Sequence, residues 1–341
     1  MNYANAAFQF LVPGTWSDRA VKADFLSNEG NFRIALVDGA ANSVEIDAGP
    51  APTLVDQASA VRVNGTVERE NRPVDRTRFA FPGWRWKALV MSYDDGHVQD
   101  RGLVPIFNRH GIRGTFHLNS GWLDTDTFIT SAELPALMAG HEVSNHTVDH
   151  PDLTQVGDGS VQWEIGHCRY VLSGLAGYDV NSMSYPLGTY DRRVMDLARG
   201  QHVTCSRTVQ ASYSLDYLPP DFLKWHPTCH HADADWWADE LIRRTEESMS
   251  LLFIWGHSYE LDNTYANNSW AYMEALCRKL GDRGDIWYCG MGELQAYLAA
   301  IQALDVSSNV VHNPSATITV SARLGGVLGQ LRPGSRTAYP P

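Results

Sequence analysis

From residue 84 to residue 304 the sequence alternates short apolar runs of β character with helical periods. That rhythm confines the chain to an α/β fold built on a parallel sheet. Residues 88–93 read as a strand, 98–110 as a helix closed by Gly111, and 114–118 as the next strand. Thr130 and Glu133 form a T-x-x-E capping box for a helix ending near Gly140. Strands at 142–146 and 182–185 and helices at 161–175 and 191–199 follow, the last stopped by Gly200. Runs at 202–209, 236–249, 251–255, 270–280, 286–289 and 293–304 continue the alternation. About seven βα units predict an irregular (β/α)7-type barrel, with a doubly wound open sheet as the structural rival.

The flanks have a different texture. Residues 1–84 hold short β-type runs, 32–37 and 43–46 among them, split by Gly, Pro, Asn and Asp, and read as a small β-rich N-terminal region. Residues 85–304 form the barrel. The segment 305–341 reads as a C-terminal β extension, with a strand at 316–320 and a Gly/Pro-rich tail.

Composition excludes some functions. A net charge of -12 disfavours nucleic acid as a partner, because phosphates require concentrated Lys and Arg. No G-x-G-x-x-G and no G-x-x-x-x-G-K-[ST] is present, so neither a dinucleotide nor a nucleoside triphosphate is indicated. No apolar stretch reaches the ~18 residues of a membrane span. The N-terminal residues lack the basic start and apolar length of a signal peptide. The five cysteines include no C-x-x-C pair and read as buried free thiols. A cytoplasmic location, no membrane partner and an open question of homo-oligomerisation follow as expectations. Eleven Trp and fourteen Tyr suit a sugar cleft as well as a core.

Four groups of chemically capable residues fall at the C-terminal ends of expected strands, where parallel α/β folds collect their active sites. Ser92-Tyr93-Asp94-Asp95-Gly96 offers two carboxylates that can point different ways, although a solvated turn would look the same. His146-Thr147-Val148-Asp149-His150 sets two imidazoles at i and i+4, one face of a single helical turn, close enough to share a metal. Ile254-Trp255-Gly256-His257 ends a strand on a His suited to proton transfer near neutrality. Ser184-Tyr185-Pro186-Leu187-Gly188 can expose backbone N–H groups to an oxyanion. Each alone has a bland structural reading; their agreement is the signal.

In this order the four groups resemble the motifs of the polysaccharide deacetylases of carbohydrate esterase family 4, the nodulation-type deacetylase domain, over roughly residues 85 to 300. The resemblance implies a hydrolase that removes acetyl groups from an acetylated oligosaccharide or polysaccharide, N-acetyl amide before O-acetyl ester. Asp95, His146 and His150 would bind a divalent metal, zinc first, with Co2+ or Ni2+ as alternatives. Asp94 would be the catalytic base, His257 the general acid, and the Leu187 N–H an oxyanion donor. Tyr93, Tyr185, Pro186, Trp255, Tyr259, His230 and His231 are the substrate-binding candidates, with Trp122 a further wall for the acetyl methyl group. Two departures stand out. The Arg that opens the third motif and orients the base is Ser184 here, leaving Lys87 and Arg207 as replacement cations. The Asp and Trp that adjust the catalytic His have no clean counterpart: Asp233-Ala234-Asp235-Trp236 suits a helix start, and the segment from Trp225 to His231 is the substitute. The rival functions are a metal-independent amidohydrolase of the same fold, allantoinase-like or a cyclic imidase, and a non-catalytic carbohydrate-binding protein.

Overall fold

The computed structural model describes residues 74–263, 267–307 and 309–339, together with five strands nearer the N-terminus. Residues 1–72 and 73–341 form two compact units. In the first, β1 (Phe8–Leu11) pairs antiparallel with β5 (Ala60–Val63), while β2 (Val21–Asn28), β3 (Asn31–Asp38) and β4 (Ser43–Asp47) make an antiparallel meander.

The second unit begins with β6 (Phe79–Ala80) and then runs β7 (Lys87–Asp95), α1 (Asp100–Arg109), β8 (Gly114–Leu118), α2 (Leu134–Leu137), β9 (Glu142–Asn145) and α3 (Asp158–Ala176). It continues through β10 (Ser182–Ser184), α4 (Arg192–Gly200), β11 (Cys205–Arg207), β12 (Cys229–His230), α5 (Ala234–Arg243) and β13 (Ser250–His257). α6 (Trp270–Leu280), β14 (Ile286–Tyr288) and α7 (Met291–Gln302) complete the alternation. Seven strands pair in parallel in the order β11-β10-β9-β8-β7-β13-β12, and β14 lies along the first part of β7. The sheet curls until its ends approach each other: Arg207 of β11 makes an isolated parallel bridge to Trp225, just ahead of β12. This is an irregular (β/α) barrel, not an open doubly wound sheet.

Strand alternation explains how one sheet serves a core and a site. Along β7, Leu89, Met91 and Tyr93 face outward and pack with Leu103 and Phe107 of α1 and Met273 of α6. Ala88 and Val90 face inward, where Leu251, Phe253, Trp225 and Leu294 fill the floor of the barrel. The next inward positions, Ser92 and Asp94, are polar. Along β7 and β13 the inward side chains are thus apolar at the strand starts, whereas on β8, β9 and β10 the inward Thr115, Glu142 and Ser182 form a buried hydrogen-bonded cluster there.

Strands β15 (Asp305–Ser307), β16 (Val310–His312), β17 (Val320–Leu324), β18 (Val327–Leu331) and β19 (Arg336–Ala338) form two small antiparallel sheets, one of them joined by β6. Phe79, Phe81, Val320, Ala322 and Leu331 pack with α7 in the inner apolar cluster. The strand expected at 316–320 is displaced to Val320–Leu324. Polar side-chain turns win over β propensity there: Asn313 accepts from the Ser315 N–H, and the Ser315 hydroxyl accepts from the N–H groups of Thr317 and Ile318. Thr130 and Glu133 do form their reciprocal pair, at 2.6 and 3.3 Å, but the helix they introduce is the single turn α2. Among the described residues no helix is long and apolar enough to cross a membrane.

Candidate metal and catalytic site

β7 ends in two consecutive left-handed residues, Asp95 with φ 78° and Gly96 with φ 77°. The turn ends the ladder at Asp95, whose last partner is Leu118 of β8, and an Asp tolerates this conformation better than most side chains. Asp95 Oδ1 then lies 3.5 Å from His146 Nε2 and 3.8 Å from His150 Nε2. Ligand atoms of all three residues lie within 4.8 Å of one another.

The two imidazoles do not reach this point on a helical turn, as the i, i+4 spacing suggested. Residues 146–150 are irregular, with Thr147 at φ 70° and His150 at φ 57°. A β-branched residue at positive φ is strained and persists only where neighbours enforce it. Here the Thr147 N–H donates to Asn145 Oδ1 at 2.7 Å, and the N–H groups of Val148 and Asp149 both donate to Glu164 Oε2 of α3, at 2.8 and 3.0 Å. The Asn119 amide holds the His146 carbonyl. The His146 Nδ1–H is taken by the Ser184 carbonyl at 2.9 Å, which turns its Nε2 lone pair toward Asp95.

Asp94 lies deeper, almost wholly buried, and forms an ion pair with Arg207, which is 0% exposed. Arg207 also donates to the Ser92 hydroxyl at 3.0 Å and to the Thr208 carbonyl at 3.1 Å, and its guanidinium lies 4.8 Å from the Trp255 ring centroid. The Ser184 hydroxyl donates to Asp94 Oδ1 at 3.1 Å. Ser184 and Arg207 are direct partners across β10 and β11. The cation absent from position 184 is thus supplied one strand away at the same level. Lys87, the other candidate, is at the opposite end of β7, paired with Asp285 and the Ile242 carbonyl.

His257 Nε2 faces Asp95 Oδ2 at 4.0 Å, and its Nδ1 lies 3.3 Å from Glu260 Oε1. His97, which no sequence motif marked, stands 3.8 Å from the same Asp95 oxygen and packs against Phe128 and Tyr259. Trp122 lies against both Phe128 and His150. An aromatic collar therefore surrounds Asp95.

Other substrate-binding candidates fall elsewhere. Tyr93 is an outward residue of β7, buried, with its hydroxyl 3.7 Å from Met273 Sδ. It sits between Ser92 and Asp94, and the period of two turns it away from the site. Tyr185 is buried too, donating to the Leu223 carbonyl at 2.8 Å, and Pro186 is covered beside it. These three are corrected to core positions. His231 is buried behind Gly256, where a Cβ would come within 2.0 Å of its Nδ1. Trp255 and His230 are half-buried, and Tyr259 is 38% exposed at the rim. Leu187, at φ 57° in a three-residue 3-10 turn, is 61% exposed. The segment from Asp233 to Trp236 opens α5.

Burial and the charge of Asp94 push the Asp95 carboxyl up to about 6, while burial pushes His146 down to about 3 and lowers His150. Burial alone would raise Asp94, but Arg207 and the imidazoles of His146, His117 and His257 hold it well below the usual carboxylate range. Near neutral pH all three ligand candidates are in the donor form that a metal needs. Asp95 Oδ1 is buried and has no hydrogen-bond partner among the described residues, so the donor set fits a divalent cation with two imidazoles and one carboxylate. His230, His231 and Glu260 form a second cluster within 4.8 Å. There, however, His230 Nδ1 accepts the Ala232 N–H at 3.3 Å, which puts the ring proton on Nε2 and leaves that nitrogen a donor rather than a ligand.

Residues 85–205 match the polysaccharide deacetylase family. The curated relatives match about a third of this chain, two of them as follows. The uncharacterized protein YlxY of Bacillus subtilis (strain 168) is 23% identical over 33% of this chain and 34% of its own length. The peptidoglycan-N-acetylglucosamine deacetylase PgdA of Listeria monocytogenes serotype 1/2a is 25% identical over 32% of this chain and 23% of its own. The chain thus spans about a third or less of the length of these relatives. Among solved structures, the family 4 carbohydrate esterase from Streptomyces lividans, in complex with acetate, aligns with a TM-score of 0.38 at 16% identity, over 57% of this chain and 88% of that one. The matched residues 85–205 carry Asp94, Asp95, His146 and His150 and most of the strands that position them, so the likeness to the polysaccharide deacetylase family falls on the part of the chain that builds the site.

Proposed function

We propose that this protein is a metal-dependent hydrolase that removes acetyl groups from an acetylated carbohydrate, acting on N-acetyl amides ahead of O-acetyl esters. The observation that carries the reading is the meeting of Asp95 Oδ1 with the Nε2 atoms of His146 and His150, beside a separately held Asp94 and opposite His257. PgdA of Listeria monocytogenes is named as a deacetylase of peptidoglycan N-acetylglucosamine, and that name supports an N-acetylated sugar as substrate.

A divalent cation, zinc in the first instance, would be held by Asp95, His146 and His150 and would supply Lewis acidity to the acetyl carbonyl and a water of lowered pKa. Asp94, kept ionised by Arg207, takes the proton of the attacking water. The Leu187 N–H, exposed on its 3-10 turn, donates to the developing oxyanion; one such donor contributes about 3 kcal/mol. His257 protonates the leaving nitrogen through Nε2. Trp122, Phe128, His97 and Tyr259 wall the space in which a sugar ring and its acetyl methyl sit.

The test is acetate release from N- and O-acetylated oligosaccharides, with the protein stripped by chelator and then reloaded with zinc or cobalt. Release that requires the metal supports the proposal. Equal activity with and without chelator refutes it in favour of a metal-independent amidohydrolase, and sugar binding with no release from any acetylated glycan refutes it in favour of a binding protein.

A further inference from the structure

The Nε2 side of His257 faces Asp95 of the neighbouring strand at 4.0 Å, so what fixes its other nitrogen decides how the ring is presented. Its Nδ1 faces a carboxylate three residues on in its own chain, Glu260 Oε1 at 3.3 Å, and its backbone N–H approaches Glu260 Oε2, also at 3.3 Å. A nitrogen opposite a carboxylate oxygen is a donor, so the proton on Nδ1 is fixed and Nε2 is the atom presented to the site. Glu260 is itself held from the far side. His230 Nε2 lies 2.9 Å from Glu260 Oε2. Because His230 Nδ1 accepts the Ala232 N–H, that Nε2 carries the proton and donates it. His231 closes the arrangement at 3.5 Å from the same oxygen, with its own Nε2 held at 2.9 Å from Asn268 Oδ1. The hydrogen bonds therefore all point one way, from Ala232 through His230 to Glu260, with His257 bonded to the other oxygen of the same carboxylate.

Resting on the deacetylase reading, we propose that Glu260, clamped by His230, is the positioning residue that holds His257 for proton delivery, and that this chain specialises the site for poor leaving groups such as a sugar amine. The step balances as follows. Water oxygen bonds to the acetyl carbon and its proton passes to Asp94; the C–N electrons leave with nitrogen, which takes a proton from His257 Nε2. The products are the free amine and acetic acid, and the proton gained by Asp94 balances the one given by His257.

A leaving group that departs without a proton removes the need for this chain, which sets the experiment. Zinc-loaded wild type, Glu260→Gln and His230→Gln are assayed on an N-acetylated chitooligosaccharide and on 4-nitrophenyl acetate, with bound zinc measured in each. In Glu260→Gln, kcat on the amide falls about 100-fold more than kcat on the ester, with KM and zinc content little changed; His230→Gln shows the same bias, by about tenfold. Parallel losses on both substrates, or no loss on either, overturn the inference while leaving the deacetylase reading intact if wild type still deacetylates. A wild type that releases no acetate from any glycan overturns both. Should the variants fold poorly, imidazole 15N shifts of the intact zinc-loaded wild type decide: protons on His257 Nδ1 and His230 Nε2 support the chain, and the opposite tautomer of either ring refutes it.

Discussion

Arg207 is the residue whose removal tests the structural account most directly. It is wholly buried and paired with an almost equally buried Asp94. Replacing it by Met keeps much of its volume but leaves a carboxylate in the barrel without its cation, a change that costs about 3–5 kcal/mol. Loss of the contact with Trp255 contributes about 1–2 kcal/mol of the total and does not depend on pH. The ionic part does. In wild type the folded-state pKa of Asp94 lies below its ordinary 3.8, so the stabilisation is complete above 3.8 and is lost as pH falls through the depressed value. In Arg207→Met burial acts without its counterweight and raises the carboxyl above 3.8, so acid relieves the variant. Urea denaturation followed by tryptophan fluorescence should therefore show a gap of about 3–5 kcal/mol at pH 7 that narrows toward 1–2 kcal/mol near pH 4. A gap below about 1 kcal/mol, or one of constant size across that range, refutes the reasoning. The paired positions allow a second arm. Ser184→Arg with Arg207→Ser moves the guanidinium back one strand at nearly constant volume, and His146 keeps the Ser184 backbone carbonyl as its Nδ1 acceptor. Acetate release by the double variant is expected within roughly tenfold of wild type, the cost of the lost Ser184 hydroxyl, and well above that of Arg207→Ser alone.

Three further outcomes follow from the geometry. Burial and Asp94 hold Asp95 at about 6, while burial lowers His150 and takes His146 down to about 3, so protonation of Asp95 is the competition with zinc that this geometry builds in near pH 6. Affinity measured against a chromophoric chelator should be level above pH 6 and fall about tenfold per unit below it; a break near pH 4 contradicts this. Glu164→Ala frees the N–H groups of Val148 and Asp149 and should weaken zinc binding about 10- to 100-fold by loosening the loop that carries both imidazoles. Gly256→Ala forces a Cβ to 2.0 Å from His231 Nδ1 and should lower stability by about 1–3 kcal/mol in thermal melts; an unchanged melting temperature shows that His231 can move aside.

The sheet was readable because its strands are short apolar runs bounded by polar ends, and one period of two decided much of what followed. Expected strand positions at 88–93, 114–118 and 251–255 lie inside or on the observed β7, β8 and β13. The same period turns Tyr93 and Tyr185 into the core although both sit inside recognisable motifs. A motif is read as a string, whereas a strand alternates its faces, so neighbouring letters need not share a site. The loop 146–150 misled in a related way. A spacing of four residues is common to a helical turn and to a strained left-handed loop, and the choice between them rests on Glu164, Asn145 and Asn119, which the spacing does not contain.

Register explains why the missing cation could be weighed but not chosen. Neighbouring parallel strands lie about 4.8 Å apart, less than the length of an arginine side chain, so a guanidinium aimed at Asp94 can start from either β10 or β11. Ser184 and Arg207 face each other across that gap, and the small residue on one strand makes room for the long one on the other. Sequence order hides this equivalence, because the whole of α4 separates the two positions in the chain. Glu260 was hidden for the opposite reason: it is so near His257 in sequence that it reads as part of a turn. Yet three residues of 3-10 structure bring its carboxylate back to Nδ1. The charge beside Asp94 is thus set by strand register and the charge beside His257 by a short turn, and neither origin can be read from the spacing of the motif letters alone.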